Sequence, residues 1–351
     1  MNETRIVTVA KQLPDYCRDT RDILPYVADW LGGQDDRFRR KVLKIFEGAA
    51  VDRRYGIMDI KDVFTATSFE DKNAIYIREC KKLGSKVLRK ALERASWEPD
   101  TLDYIITVSC TGFMIPSLDA YLANALGLRQ DIVRLPVTEM GCAAGVSGLI
   151  YARNFLRAAP GKRLALVAVE SPTATFQHND YSMANMVSAA IFGDGAACVL
   201  MSSEPDAEGP RIVGEGMYHF NNATHLMGFD LTNHGLKMIL DPAVPETIAA
   251  QFNSIIHPFL RKYGSDIDKV RHLIFHPGGR KIIQAVEALF EPMGKNIDDT
   301  RETLRCYGNM SSATVLYVLE RFMEKSIPPG EQGLLLSFGP GFSAQRVLLE
   351  W

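Results

Sequence analysis

One sequence of apolar and helical patterns occurs twice along the chain. In the first half, Tyr104 to Val108 (YIITV) is a β-branched run that ends in Ser109-Cys110-Thr111-Gly112. In the second half, His272 to Phe275 (HLIF) ends in His276-Pro277-Gly278-Gly279. Thirty-two residues after Cys110 comes Gly141-Cys142-Ala143-Ala144, opening a helical pattern through Leu149, Tyr151 and Phe155. Thirty-three residues after His276 comes Gly308-Asn309-Met310-Ser311, opening another through Leu316, Leu319 and Phe322. A further apolar run closes each half: Arg163 to Val169 (RLALVAV) and Gly333 to Phe338 (GLLLSF). These strands are near-continuous in apolar character, as expected of a sheet covered by helices on both faces. The pattern predicts two copies of one β/α design, a layered α/β body. The polar stretch Ser202 to Pro210 (SSEPDAEGP) divides an N-terminal half, residues 1–205, from a C-terminal half, residues 206–351.

Composition narrows the function class. The 351 residues are 46% hydrophobic and 23% charged, which excludes a disordered or collagen-like chain. Forty basic and forty-two acidic residues leave a formal charge of −2, so no general attraction to nucleic acid or to anionic membrane is expected. Uncharged stretches such as Tyr104 to Leu118 and Met140 to Ala152 are too short to cross a bilayer. The N-terminal residues Glu3, Arg5, Lys11, Asp15 and Arg18 interrupt any secretory signal, and a cytoplasmic location is expected. Six cysteines without a CxxC pair read as reduced thiols. No HExxH spacing and no GxGxxG after a strand are found, so neither a metal nor a nucleotide redox cofactor is expected.

If the halves pack together, three reactive side chains converge at equivalent strand ends and helix starts. Cys142 stands at a helix N-terminus, where exposed N–H groups and the dipole favour a thiolate. His276 follows a strand at a turn held by Pro-Gly-Gly. Asn309 opens the equivalent helix of the other copy, so its amide can face the same space. Each alone has a structural explanation: a small buried thiol, a turn histidine, a helix cap. Together, at matching offsets of a repeat, they suit thioester chemistry. The thiolate can take an acyl group, while imidazole and amide stabilise an enolate oxygen formed by decarboxylation.

Five blocks carry a resemblance to a known family: Gly141-Cys142-Ala143-Ala144-Gly145, Ile191-Phe192-Gly193-Asp194-Gly195-Ala196-Ala197, His276-Pro277-Gly278-Gly279, Tyr307-Gly308-Asn309-Met310-Ser311-Ser312-Ala313 and Phe338-Gly339-Pro340-Gly341-Phe342. In order and spacing they resemble type III polyketide synthases, the chalcone synthase-like enzymes. The resemblance implies a thiolase-like αβαβα fold built from two pseudo-repeated halves, a homodimer, and iterative decarboxylative Claisen condensation of malonyl-CoA onto an acyl-CoA starter. It implies cyclisation to a pyrone, resorcinol or related phenolic, with coenzyme A thioesters as substrates and no separate cofactor. By it, Cys142 carries the acyl chain, and His276 and Asn309 bind malonyl-CoA and stabilise its enolate, with His276 also keeping Cys142 ionised as a thiolate–imidazolium pair.

The resemblance also implies a gatekeeper aromatic at Phe192 and places Asn233 where the family has a second phenylalanine. Cavity-lining positions map to Cys110, Ile115, Thr175, Thr224 and Ser311, with Ile115 at the position that reaches the partner's pocket. Gly339, Pro340 and Gly341 shape the cavity wall. Lys41 and Lys44, in the basic run Arg37 to Lys44, match two of three phosphate-contacting positions, and the third is Gly48 here. Arg39, Arg40 and Arg53 are the candidates to replace that charge. Gly278 and Lys281 fall where backbone atoms touch the pantetheine arm. Three alternatives stay open: a ketoacyl synthase III-like enzyme that condenses once and uses acyl carrier protein, a Cys-His-Asn protease, and a catalytically silent binding protein of the same fold. The Cys-Gly-Ser-Cys-Trp pattern of papain-like proteases is absent around Cys142.

Overall fold

The apolar runs form strands buried on both faces, as their lack of alternation requires. The computed structural model describes residues 3–351. Strand β1 (Arg5–Gln12) enters a large sheet, while β2 (Tyr16–Asp19) and β3 (Arg53–Gly56) pair apart from it. The large sheet continues with β4 (Tyr104–Val108), β5 (Val133–Val137), β6 (Arg163–Glu170), β7 (Gly195–Ser202) and β8 (Arg211–His219). A separate hairpin follows, β9 (Met227–Thr232) and β10 (Gly235–Leu240), before β11 (Val270–Phe275), β12 (Gln332–Gly339) and β13 (Ser343–Glu350) complete the nine-stranded sheet.

The sheet order is β11-β12-β13-β8-β1-β7-β6-β4-β5, which read outward from its middle gives one pattern twice. In the first half β4 and β6 are parallel and β7 runs antiparallel to β6. In the second, β11 and β12 are parallel and β13 runs antiparallel to β12. The halves join where Arg5 faces Arg211, with the Ile6 amide donating to the Pro210 carbonyl (3.0 Å) and the Ile212 amide to that of Thr4 (2.9 Å).

Side-chain alternation along single strands sets the layers. Leu164, Leu166 and Ala168 of β6 pack in a central core with Leu149, Val315 and Leu319, residues of the helices Ala144–Ala158 and Thr314–Met323. Their neighbours Ala165, Val167 and Val169 face the outer helix Phe69–Ala95 instead. In β12, Leu335 joins the central core, whereas Leu334 and Leu336 pack with the outer helices Val244–Lys262 and Arg280–Phe290. The result is the layered αβαβα order that the resemblance implies. Among the described residues no helix is long and apolar enough to cross a membrane.

The two central helices begin close together. A Cβ added to Gly145 would land on the Ser312 carbonyl oxygen. Gly145→Ala is therefore expected to cost about 1–3 kcal/mol by overpacking. Chemical denaturation measures this directly, and an unchanged midpoint and slope would show that the helices separate freely.

Candidate active site

The first half supplies a thiol at a sharp turn. Cys142 lies in the 3₁₀ turn Gly141–Ala143 that leads into the helix Ala144–Ala158. Its carbonyl accepts from Ser337 Oγ at 2.7 Å, tying this turn to β12 of the other half. A Cβ at Gly339 would come within 2.6 Å of the Ala143 amide, so the Gly339-Pro340-Gly341 segment can lie against the cysteine turn only with glycine there. Pro340 lines the pocket beside Cys142, while Gly341 turns the chain at φ 78°.

The second half supplies the imidazole and the amide. His276 follows β11, and its backbone is fixed by its amide on the Leu336 carbonyl (3.0 Å) and its carbonyl under the Gly278 amide (2.9 Å). The ring is only 3% exposed, yet neither nitrogen has a hydrogen-bond partner among the described residues. Most buried polar side-chain atoms have a hydrogen-bond partner, so an imidazole with neither nitrogen paired calls for an explanation such as a catalytic role or a bound water. Asn309 is oriented by its neighbours. Its Oδ1 accepts from the Ser311 amide (2.8 Å) and Thr314 Oγ1 (3.3 Å), and its Nδ2 donates to the Gly278 carbonyl (3.3 Å). Ser311 adopts φ 47°, which turns its amide back onto Asn309. Cys142, His276 and Asn309 line one pocket together with Phe192, Gly278 and Phe275.

The two halves are stitched at this point. Phe192 and Asn309 form an isolated parallel β-bridge, with the Asn309 amide donating to the Ile191 carbonyl (2.8 Å) and the Gly193 amide to the Asn309 carbonyl (3.1 Å). Arg54 holds the same segment from behind, donating to the carbonyls of Ala189 (2.9 Å) and Phe192 (3.3 Å).

Burial pushes the Cys142 thiol up to about 11, with the Glu170 carboxylate adding to the rise and the Ser311 and Asn309 side chains opposing it. Burial likewise pushes His276 down to about 3. Each group by itself stays neutral at pH 7, and no direct Cys142–His276 hydrogen bond is formed, so the implied thiolate–imidazolium pair is not a property of either group alone. It arises only if one proton passes from sulfur to imidazole, because opposite charges in one dry chamber offset much of each other's desolvation.

Cys110 and Ser311 also line the chamber, their side chains 3.4 Å apart (Sγ to Oγ). Behind them lies Glu170, a fully buried carboxylate that sequence reasoning missed. It accepts from Thr111 Oγ1 (2.8 Å), Ser312 Oγ (2.5 Å) and the Cys110 amide (3.1 Å). The only signal was an acid ending the apolar run RLALVAVE. Thr175 lies beyond Phe192, lining a side pocket.

Two cavity assignments do not hold in the fold. Asn233 is exposed at the tip of the β9–β10 hairpin, and Thr224 is exposed in the turn before β9. Neither lines the chamber; the hairpin's inward face does so instead, through Met227, Phe229 and Met238. The reason is pleating: Met227 and Phe229 share one face, and Met238 is the cross-strand partner of Phe229. Met238 thus stands beside Phe192, where a second gatekeeper was expected at Asn233. Ile115 points away from this chain's chamber and is 97% exposed.

Lys41 and Lys44 are exposed on the helix Asp36–Glu47, and Lys281 is exposed at the start of the helix Arg280–Phe290. The charge missing at Gly48 is not restored by Arg53, paired with Asp19 (2.9 Å), or by Arg39, paired with Asp36 (3.5 Å). The guanidinium of Arg280 fills that place, with Nη1 3.5 Å from where a Gly48 Cβ would sit. Its sequence signal was the basic pair Arg280-Lys281 directly after His-Pro-Gly-Gly.

Comparison with known proteins agrees with this geometry. Residues 2–205 match the N-terminal domain of chalcone and stilbene synthases, and residues 217–350 match the C-terminal domain. The chain is 31% identical to a 1,3,6,8-tetrahydroxynaphthalene synthase of Streptomyces peucetius subsp. caesius over 99% of this chain and 93% of that protein. It is 30% identical to a phloroglucinol synthase of Pseudomonas fluorescens over 88% of each. The crystal structure of 1,3,6,8-tetrahydroxynaphthalene synthase from Streptomyces coelicolor A3(2) superposes with a TM-score of 0.92 at 29% identity, covering 99% of both chains. With both family domains matched in order and the three reactive side chains gathered where the halves meet, the chain belongs to the chalcone and stilbene synthase family and is a type III polyketide synthase.

Proposed function

We propose that Cys142 accepts a starter acyl group from coenzyme A and then carries the growing chain, while His276 and Asn309 bind the thioester oxygen of malonyl-CoA. The observation that carries this reading is the shared pocket of a thiol, a buried imidazole with two unpartnered nitrogens, and an amide whose orientation is fixed by Ser311 and Thr314. Loss of carbon dioxide leaves an enolate on that oxygen, where two donors stabilise the charge as it develops. The enolate carbon attacks the thioester on Cys142, the carbon–sulfur bond to the cysteine breaks, and the chain is longer by two carbons. Apolar walls at Phe192, Met227, Phe229 and Met238 exclude water from the intermediates. Repeated extension followed by ring closure gives a pyrone, resorcinol or related phenolic. Incubation with malonyl-CoA and a panel of acyl-CoA starters, with products read by mass, tests the reading. A single extension per starter would favour the ketoacyl synthase alternative.

Coenzyme A is a polyanion, and Lys41, Lys44, Arg280 and Lys281 are exposed cations, the last two directly after the His276-Pro277-Gly278-Gly279 turn. In this reading Arg280, whose guanidinium lies beside Gly48, takes over the phosphate contact that Gly48 lacks. Arg280→Ser is expected to raise the KM for malonyl-CoA about three- to tenfold with kcat little changed, and to leave the KM for a malonyl thioester of phosphate-free pantetheine unaltered. Equal effects on both thioesters would remove Arg280 from the phosphate site. A second copy of the chain is the expected partner: Ile115, Phe113 and Val133 of edge strand β5 expose apolar surface that a monomer would leave in water.

A further inference from the structure

On the far side of Phe192 and Met238 from the chamber lies a side pocket whose polar groups the condensation does not use. Its volume is about 50 Å³, against about 20 Å³ for each of the two lobes that touch Cys142, and it shares Pro172, Phe192 and Met238 with one of them. Ile60, Val63, Phe64 and Phe176 make most of its wall apolar. Two guanidinium groups, Arg18 and Arg54, interrupt that wall.

Arg54 is 5% exposed. Besides its bonds to the carbonyls of Ala189 and Phe192, it donates from Nη2 to Thr20 Oγ1 (3.2 Å), which leaves Nε buried without a partner. Arg18 is half-buried, and its Nη2 is buried with no partner among the described residues. Neither arginine forms an ion pair with a described carboxylate. Asp194, Asp59 and Asp62 act on Arg18 from nearby without pairing with it, and the two oxygens of Asp194 already accept from the amides of Ile57 (2.8 Å) and Thr173 (2.9 Å). Burial holds both guanidinium groups below their usual range, and the charge of Arg18 adds to the effect on Arg54. Two neighbouring cations in an apolar pocket, each with a free N–H, form a site that an anion completes.

We propose that this pocket receives a carboxylate at the far end of the acyl chain carried on Cys142, so that the starter is the mono-CoA thioester of a short dicarboxylic acid. The assignment rests on Cys142 being the acyl carrier. In loading, the thiolate attacks the thioester carbonyl, the bond from that carbon to the coenzyme A sulfur breaks, and the leaving thiolate takes up the proton held on His276. The distal carboxylate is unchanged. It accepts one N–H from each arginine, and its methylenes lie against the apolar wall. A carboxylate β to the thioester is the group that His276 and Asn309 remove, so the retained one stands further along the chain, as in succinyl, glutaryl or adipyl thioesters.

The test pairs each of these starters with its neutral counterpart of equal carbon number: butyryl-, pentanoyl- and hexanoyl-CoA. Malonyl-CoA is the extender, and initial rates are read by product mass. For at least one length, the carboxylated starter is expected to have a kcat/KM at least about tenfold higher, the scale of one charge-assisted contact. Arg18→Met should lower that ratio at least about fivefold, and Arg18→Lys should restore part of it. Carboxylated starters used no better than their neutral partners would overturn the proposal, as would an Arg18→Met enzyme that is folded by circular dichroism and keeps the wild-type ratio. If Arg18→Met is unfolded, the same ratio is read on Arg54→Lys, where an unchanged preference counts against the pocket. A wild-type enzyme that loads no starter of either kind onto Cys142 overturns the acyl-carrier reading itself.

Discussion

Cys142→Ala protein is expected to consume malonyl-CoA and release carbon dioxide while making no extended product. The sulfur is the only group at that position able to hold an acyl chain as a thioester, so elongation should fall by at least about a thousandfold. Decarboxylation has different requirements. It needs donors to the thioester oxygen, and in the proposed reading these come from the other half of the chain: His276, fixed through its backbone on β12, and Asn309, fixed by Ser311 and Thr314. None of those bonds involves the Cys142 side chain. Acetyl-CoA and carbon dioxide should therefore both be detected from malonyl-CoA with the variant. Full-length product from it would refute the covalent role.

The reverse pattern is expected on the second half. His276→Ala and Asn309→Ala should each reduce malonyl-CoA decarboxylation about a hundred- to a thousandfold, the usual loss for one oxyanion donor. His276→Ala has a second consequence whose sign follows from burial. The Cys142 thiol is pushed up by its dry surroundings, and in the proposed reading an imidazolium at His276 is the cation that offsets this. Without it the thiol pKa rises and the thiolate fraction falls at every pH below that value. Alkylation of Cys142 by iodoacetamide, which requires the thiolate, should persist down to about pH 6 in the wild type but fall about tenfold per pH unit below about pH 11 in His276→Ala. Superimposable pH profiles would show that the imidazole has no part in ionising the sulfur. Asn309→Ala should leave the profile nearer wild type, since it removes a neutral donor.

Much of the architecture was legible because burial on both faces leaves a direct mark on composition. Strands β4, β6, β11 and β12 were readable within two residues at either end from YIITV, RLALVAV, HLIF and GLLLSF, and the repeat placed Cys142 and Asn309 at matching helix starts and His276 at a strand end. Side chains that depend on hairpin register were not legible. Asn233 and Met238 lie five positions apart, and only the observed pairing of Phe229 with Met238 decides which faces Phe192. Arg280 escaped because its position opposite Gly48 joins two helices more than 200 residues apart, a proximity no local pattern encodes. Glu170 escaped for another reason. An acid at the end of an apolar strand usually marks emergence into solvent, and here the strand end runs into the site, where hydroxyls and an amide replace water.

The bridge between Phe192 and Asn309 has a consequence for how such an enzyme can diversify. In the proposed reading a residue that selects which chains enter and a residue that serves the reaction share one stretch of backbone ladder, so a bulkier or smaller side chain at 192 that shifts its main chain moves the amide of 309 as well. Natural variation in product range should therefore accumulate on the β9–β10 hairpin, whose strands pair only with each other, before it touches position 192. Inward side chains of the hairpin can change without moving that ladder, whereas a change at 192 that shifts the main chain moves it.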